Sequence, residues 1–520
     1  MESFPVLTAL IVLPFIGALV VSLLPARRPE LVYPVSIGVS LPSLAMALWL
    51  LYNFTTGDPT FQFVEDVTLS EGLGIGWVLG VDGISILLVV LTAVIVPIAI
   101  AASKSVADRQ KTFMVSLLVL TAGMFGVFVA LDLLIFFAFF EIVLIPMYML
   151  IGIWGSENRL YASMKFVLYT AIGSVFLLAG IIVMAVLAGD TAGTTTSFDF
   201  RVMLDTQLST TAQLWLFAAF GIAFAVKVPL FPFHTWLPDA HTEAPTAGSI
   251  ILAAVLLKMG AYGFLRFNLT LFPQASVDLA EVMGILAVIG ILYGAAVAIV
   301  QPDVKRLVAY SSVSHLGFII LGIFALTSQG LQGSVIQMVS HGLTTGALFL
   351  LVGMIYERRH TRKIADYGGI AAVMPLYAGF FLFMAFASIG LPGLSGFVGE
   401  FTILVGSFLT LPVLAIAAAF GVVLAAIYML WAYERMFTGR LDKPQNENLK
   451  DLGLREIAIL VPLVLLVLWI GLYPKPALDR IGPSVELILD RIELTTDYAA
   501  PEYGRADEVA DVRLEAGQHG

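Results

Sequence analysis

Between Leu214 and Phe233 the chain reads LWLFAAFGIAFAVKVPLFPF, a run with a single charge, Lys227. About 20 apolar residues is the length that carries an α-helix across a bilayer, and this chain contains such stretches repeatedly. Fourteen can be marked, at 4–24, 32–54, 82–102, 112–131, 133–153, 164–188, 212–231, 246–268, 279–300, 308–327, 334–356, 372–409, 412–436 and 455–473. Only helices and closed barrels satisfy their own backbone in lipid, so serial runs of this length commit the chain to a helical bundle. Composition agrees: 59% of the residues are hydrophobic and 12% charged, against about 25% charged in soluble domains. The expected fold is all-α, a polytopic membrane protein of about 14 transmembrane helices.

The basic residues give the orientation. Apart from the tail after 474, only Arg201 and Arg266 fall in loops after even-numbered spans. The other loop lysines and arginines, from Arg27 and Arg28 to Lys450 and Arg455, follow odd-numbered spans. By the positive-inside rule the odd loops are cytoplasmic and both termini lie outside. The start MESFPVLTAL lacks the basic residues of a signal peptide, so the first span is expected to be retained. The net charge of −10 offers no nucleic-acid footprint. Zero cysteines exclude disulfides, thiolate-held iron–sulfur clusters and a cysteine nucleophile. The six histidines are scattered, with no metal-helix spacing and no expected metal or cofactor site in this chain. The glycine-rich phosphate loop of nucleotide-binding proteins is missing too.

The stretch 372–409 is too long for one straight helix and is cut by Gly390-Leu391-Pro392-Gly393, so it reads as one broken helix. Pro229 and Pro232 interrupt the Lys227 run in the same way. Gly173, Phe176, Leu177, Leu178 and Gly180 match Gly346, Phe349, Leu350, Leu351 and Gly353, each 173 residues later (346 − 173), and at that offset Lys227 falls on Glu400. Repeats of five helices, an odd number, must be inverted, which suits a transporter architecture. The expected organisation is 1–110, helices 1–3; 111–270, a first repeat of helices 4–8; 271–440, a second repeat of helices 9–13; and 441–520, helix 14 with an acidic tail whose last residues, 504–520, are expected to be mobile.

Isolated charges inside these spans carry the chemistry. A charge at the bilayer centre costs roughly 2.5–3.5 kcal/mol or more, so each is a functional candidate. Glu141 stands alone in LLIFFAFFEIVLIPMYML, either as a proton-relay carboxylate or as one half of a structural ion pair. Lys258 is alone in GSIILAAVLLKMGAYGFLRF, too central to snorkel easily to the surface. Glu400 follows the break in GLPGLSGFVGEF, where water and unsatisfied backbone groups favour a proton wire; a misjudged end position is the plainer reading. His315 and His341 lie at membrane depth and titrate near neutrality, as relay members or as ordinary hydrogen-bonded side chains. His234 and His241 follow Lys227 at intervals of seven, but the intervening prolines prevent one regular helix, so they either line the broken region or shape it. Asp82 and Ser85 read as helix capping, and Asp303, Lys305 and Arg306 as surface or capping charges.

These residues also carry a resemblance. AVKVPLFPFHTWLPDAHTEAPTAGSIILAAVLLKMGAYG (225–263) closely resembles the signature of the antiporter-like, Mrp-related membrane subunits of proton-translocating NADH:quinone oxidoreductase, respiratory complex I. DVKRLVAYSSVSHLGF (303–318) and GLPGLSGFVGEF (390–401) resemble further blocks of that family, and the similarity spans nearly the whole chain. The resemblance places the family's carboxylate–lysine pair on Glu141 and Lys227, its central lysine on Lys258, its axial histidines on His315 and His341, and its exit residue on Glu400. Sister chains L and N usually carry lysine at that last position, so Glu400 favours the branch called subunit M, as does a tail too short for the long lateral helix of chain L. The resemblance implies proton translocation driven by quinone reduction in other subunits. It also implies flavin and iron–sulfur clusters in those partners, neighbours L and N, and a bacterial-type inner membrane.

Moving one charge against roughly 200 mV costs about 4–5 kcal/mol, a shift of about three pKa units. Parting a lysine from a glutamate in a low dielectric supplies that much. The expected mechanism is therefore a Glu141–Lys227 ion pair that opens and closes, pushing a proton from Lys227 to Lys258 and on to Glu400. Three other readings compete: a subunit of an Mrp-type cation/proton antiporter, a scaffold with a vestigial channel, and a stand-alone solute carrier.

Overall fold

A computed structural model of the chain describes residues 4–501, so the expectation for 504–520 lies outside the described residues. Among the described residues, thirteen helices are long and apolar enough to cross a membrane. The one remaining expected span, the broken stretch 372–409, is two shorter apolar helices, Pro375–Ser388 and Ser395–Thr410. The turn between them has its cause in glycine: Gly390 and Gly393 take φ of +75° and +90°, a left-handed backbone that side chains resist. The chain is a multi-pass, mostly helical membrane protein.

The all-α expectation needs one amendment. Gln62–Ser70 pairs antiparallel with Ile75–Val81 in a hairpin. Glu65 on this hairpin accepts the Leu7 and Thr8 amides at 2.6 and 3.1 Å, satisfying donors that the first helix, Val6–Leu23, leaves free at its start. Asp132 ties the hairpin to the next structure inward. It takes the Gly76 amide at 2.9 Å and caps Leu133–Ile142 through Leu134 and Ile135. Burial raises its carboxyl above the usual range. The acidic tail holds a further surprise, an amphipathic helix over Lys475–Thr495 whose Ile481, Val485, Leu489 and Ile492 are buried against the bundle.

Burial sorts the spans. The most apolar windows of Thr246–Leu271 and Ser328–Arg359 are wholly buried, and that of Val304–Phe324 is 94% buried, whereas that of Pro29–Asn53 is only 28% buried. The central helices are those that carry Lys258, His341 and His315; the peripheral ones present their apolar side chains outward, as lipid-facing surfaces do. At about 1.5 Å per residue, the 34-residue helix Arg159–Ala192 is roughly 50 Å long and overreaches a hydrocarbon core of about 30 Å.

Two of the carbonyls that the interruption after Lys227 frees find other donors. Lys227 is the last residue of Thr210–Lys227. Pro229 has no N–H, so the Ala225 carbonyl takes the Leu230 amide at 2.8 Å, and the Val226 carbonyl takes the Trp236 indole at 2.9 Å. The second interruption differs in register. Ile389–Leu394 precedes Glu400, which lies inside the helix that follows, so the 173-residue offset that aligns the two charges does not align the two breaks.

Candidate functional site

The Lys258 segment is not a plain α-helix. Leu252–Leu256 and Phe264–Asn268 are π-helical turns on either side of Leu257–Gly263. Such wide turns recur at functional sites because they displace a carbonyl from its usual partner. Here the Lys258 ammonium donates to the Ala253 carbonyl and contacts His341 Nδ1 at 2.6 Å. The His341 and His315 rings stand edge to face with centroids 5.7 Å apart. His315 Nδ1 lies 2.6 Å from Glu400 Oε1, and its Nε2 meets Ser388 and Tyr428 at 3.3 and 3.2 Å. Gln337 donates to the same carboxylate oxygen at 2.9 Å. None of the four residues is more than 3% exposed. The structure therefore brings Lys258, His341, His315 and Glu400 into one buried line across three helices and a broken helix. Glu400 is no end position.

Lys227 and Glu141 stand apart from that line and from each other. Glu141 takes the Ser174 hydroxyl and sits just before the kink at Val143, where Pro146 removes the amide that Ile142's carbonyl would have taken. Lys227 is 2% exposed, and its ammonium lies over the Phe140 ring, 4.6 Å from the centroid, with no hydrogen-bond partner. The Glu141 charge acts on it through space. The expected ion pair is thus held open, with no contact within 4.0 Å. Between Lys227 and Lys258 the backbone comes close: a Cβ on Gly260 would meet Val228 N at 2.9 Å and Phe224 O at 2.8 Å.

The other two candidate histidines, His241 and His234, do not join the line. His241 stacks flat on Phe349 at 4.4 Å, with Lys258 and Lys305 within electrostatic reach. His234 packs against Tyr293 at 5.1 Å and Phe231 at 5.6 Å. Both are buried, and neither has a side-chain hydrogen bond.

Two expectations are corrected. Asp303 does cap its helix, accepting the Lys305 and Arg306 amides, but Lys305 is no surface charge: it is 8% exposed and bonds the Ala244 carbonyl at 2.5 Å. With Glu243 and Arg362 it lines a cavity of about 180 Å³ that lies next to the His241 helix. Arg266, taken for a loop residue, is buried inside the eighth span and paired with Asp82 at 2.5 Å. Asp82 also caps as expected, taking the Ile84 and Ser85 amides. Among the described residues no cluster of three or more His, Asp or Glu is placed to hold a metal ion.

A multi-pass helical bundle with titratable side chains aligned through its centre defines an ion-handling membrane protein, and the comparisons name its kind. Residues 130–427 match the family model described as NADH:quinone oxidoreductase/Mrp antiporter, and residues 31–126 match that described as NADH-ubiquinone oxidoreductase chain 4, amino terminus. The chain belongs to this NADH:quinone oxidoreductase/Mrp antiporter family. It is 49% identical over 457 residues to NADH-quinone oxidoreductase subunit M of Rhodobacter capsulatus, covering 87% of this chain and 89% of that one. It is 41% identical over 481 residues to NADH-ubiquinone oxidoreductase chain 4 of Marchantia polymorpha, covering 92% and 96%. Its fold matches a chain of respiratory complex I from Thermus thermophilus at a TM-score of 0.85 and 32% identity, over 94% of this chain and 99% of that one. It also matches a chain of the Mrp complex from Dietzia sp. DQ12-45-1b at 0.81 and 22% identity, over 93% and 98%, a likeness of fold alone.

Proposed function

We propose that this chain is a proton-translocating membrane subunit of an NADH:quinone oxidoreductase of the complex I type, the subunit M of its assembly. Protons move along Lys227, Lys258, His341, His315 and Glu400, driven by quinone reduction in other subunits; this chain does no redox chemistry itself, and flavin and iron–sulfur clusters belong to its partners. Sister chains L and N are its neighbours in a bacterial-type inner membrane, with both termini on the outer side. The single observation that carries the reading is the buried line from Lys258 to Glu400, hydrogen-bonded at both ends and joined in the middle by the His341–His315 ring contact. Each member can bind and release a proton, and each is shielded from bulk water, so charge at one end is felt at the other with little screening.

The family description names both kinds of complex, but the relatives named as quinone oxidoreductase subunits, at 49% and 41% identity, favour this over the Mrp antiporter reading, whose solved structure is alike in fold alone at 22% identity. A scaffold with a vestigial channel would have no reason to keep four titratable groups in contact at its centre. Replacing Lys258 by alanine in the assembled complex tests the proposal. NADH-driven proton uptake into inverted vesicles should fall several-fold while NADH oxidation by an artificial acceptor is kept. Pumping at the unaltered level would sink it.

A further inference from the structure

Lys258, Tyr262 and Arg266 follow each other at intervals of four along one span. All three are buried, at 0%, 1% and 4% exposure. Arg266 Nε donates to the Tyr262 oxygen at 3.3 Å, and Tyr262 donates to the Phe128 carbonyl at 3.4 Å. Arg266 Nη2 pairs with Asp82 Oδ2, while Asp82 Oδ1 accepts the Ile84 and Ser85 amides at the start of Ser85–Ala102. The guanidinium also lies over the Phe61 ring at 5.0 Å. The hairpin leads straight into Asp82, and the amphipathic Lys475–Thr495 helix covers the same end, with Gly83 donating to Ser484 and Arg491 donating to the Thr270 carbonyl. A polar line therefore runs from Tyr262, one helical turn beyond Lys258, toward the hairpin face of the bundle.

In a pump such a line is a hazard, since protons gathered on Lys258 would find a second way out. Its chemistry closes it. A guanidinium has five donors and no acceptor and does not give up its proton, so a proton cannot hop through it. The Tyr262 oxygen already receives from Arg266, and its own proton points at a backbone carbonyl, which passes nothing on. A fixed cation at the end of the line also raises the cost of another cation arriving, the device by which pore arginines exclude protons.

We infer that the Arg266–Asp82 pair is an electrostatic plug that seals the hairpin face against protons held on Lys258, leaving His341, His315 and Glu400 as their only exit. Arg266 acts here as a positioning and blocking residue; it takes no proton. The inference rests on the proton-translocation reading, and the test separates the two. In vesicles carrying the assembled complex, the paired variant Asp82→Asn/Arg266→Gln removes both charges without stranding either. It should raise passive proton leak several-fold, with NADH:quinone turnover retained and net pumping lowered. Asp82→Asn alone keeps the cation and should stay tight. Arg266→Gln alone, in which Asp82 can protonate, should leak like the pair and stands in if the pair fails to assemble. Tight vesicles from both Gln variants, or equal leak from Asp82→Asn, would overturn the plug. A fall in pumping for Lys258→Ala beside tight Gln variants would sink the plug alone; no fall for Lys258→Ala would sink the translocation reading beneath it.

Discussion

His315 Nδ1 lies 2.6 Å from Glu400 Oε1, and the same carboxylate oxygen accepts from Gln337 at 2.9 Å. One histidine thus faces a carboxylate through one nitrogen and the Ser388 and Tyr428 hydroxyls through the other. In the proposed relay, that wiring lets the histidine take a proton on one side and give it up on the other. Glu400→Gln keeps the shape and the acceptor oxygen but removes the proton-binding site. Coupled pumping through this chain is expected to fall about tenfold or more, the lower part of the range for losing a proton-transfer group, with the complex still assembled. Gln337→Leu, which removes only a supporting donor, should cost much less. Proton flux in reconstituted vesicles, normalised to assembled complex, separates the two.

The close packing of the Lys227 and Lys258 helices depends on Gly260. Its missing Cβ lets the Lys258 helix lie directly on Phe224 O and Val228 N, both backbone atoms that cannot swing aside. Gly260→Ala is therefore expected to push the helices apart, costing about 1–3 kcal/mol in stability and lowering coupled pumping. Gly290, in the helix Ala280–Ile299, meets nothing within 4 Å, so Gly290→Ala should be neutral or mildly stabilising. Thermal unfolding of the purified complex together with pumping assays would check both, and equal behaviour of the two variants would refute the steric argument.

The charges were legible in the sequence because an isolated Glu, Lys or His in a long apolar run is costly enough to demand a reason. Their order was legible only through the family resemblance. Lys258 and His341 are 83 residues apart, and nothing in either helix alone says that they touch. Arg266 escaped because it falls near the end of its span, where snorkelling to a loop is the inexpensive explanation; its spacing of eight from Lys258, with Tyr262 between, was the signal that could have found it. The hairpin also left a trace, with QFVEDVTLS and IGWVLGV separated by EGLG, but in a chain of apolar helices a short strand pair has little contrast. The two breaks were visible as proline and glycine. Their differing register was not, because residue type marks where a helix stops but not which side of a charge the stop falls.

The amphipathic tail helix yields a stability prediction. Ile481, Val485, Ile488, Leu489 and Ile492 follow helical spacing and are buried against the bundle. Leu489 is fully buried, so Leu489→Ala is expected to cost about 2–4 kcal/mol. Leu487, half exposed on the other face, should tolerate alanine with little change. Because the helix covers the end of the bundle that holds Asp82, Leu489→Ala should also speed hydrogen exchange at Gly83, whose amide bonds Ser484. Exchange there at the unaltered rate, in a variant that melts early, would show that the tail stabilises the chain without protecting that end.

Glu141 and Lys227 set the last prediction, because the two act on one another without touching. Lys227 rests on the Phe140 ring, and Glu141 is held by Ser174, so the carboxylate reaches the ammonium as a field rather than as a hydrogen bond. A field falls off slowly with distance, whereas a hydrogen bond fails within a fraction of an ångström. Glu141→Asp, which draws the charge back by one methylene, should therefore keep most of the pumping activity. Glu141→Gln keeps the side chain's length and removes its charge, and should lose several-fold. Ser174→Ala should fall between, since the carboxylate loses its donor but keeps its charge. The reverse order, with Asp as damaging as Gln, would mean that a direct Glu141–Lys227 contact forms during turnover and that its geometry, not its charge alone, drives the proton toward Lys258.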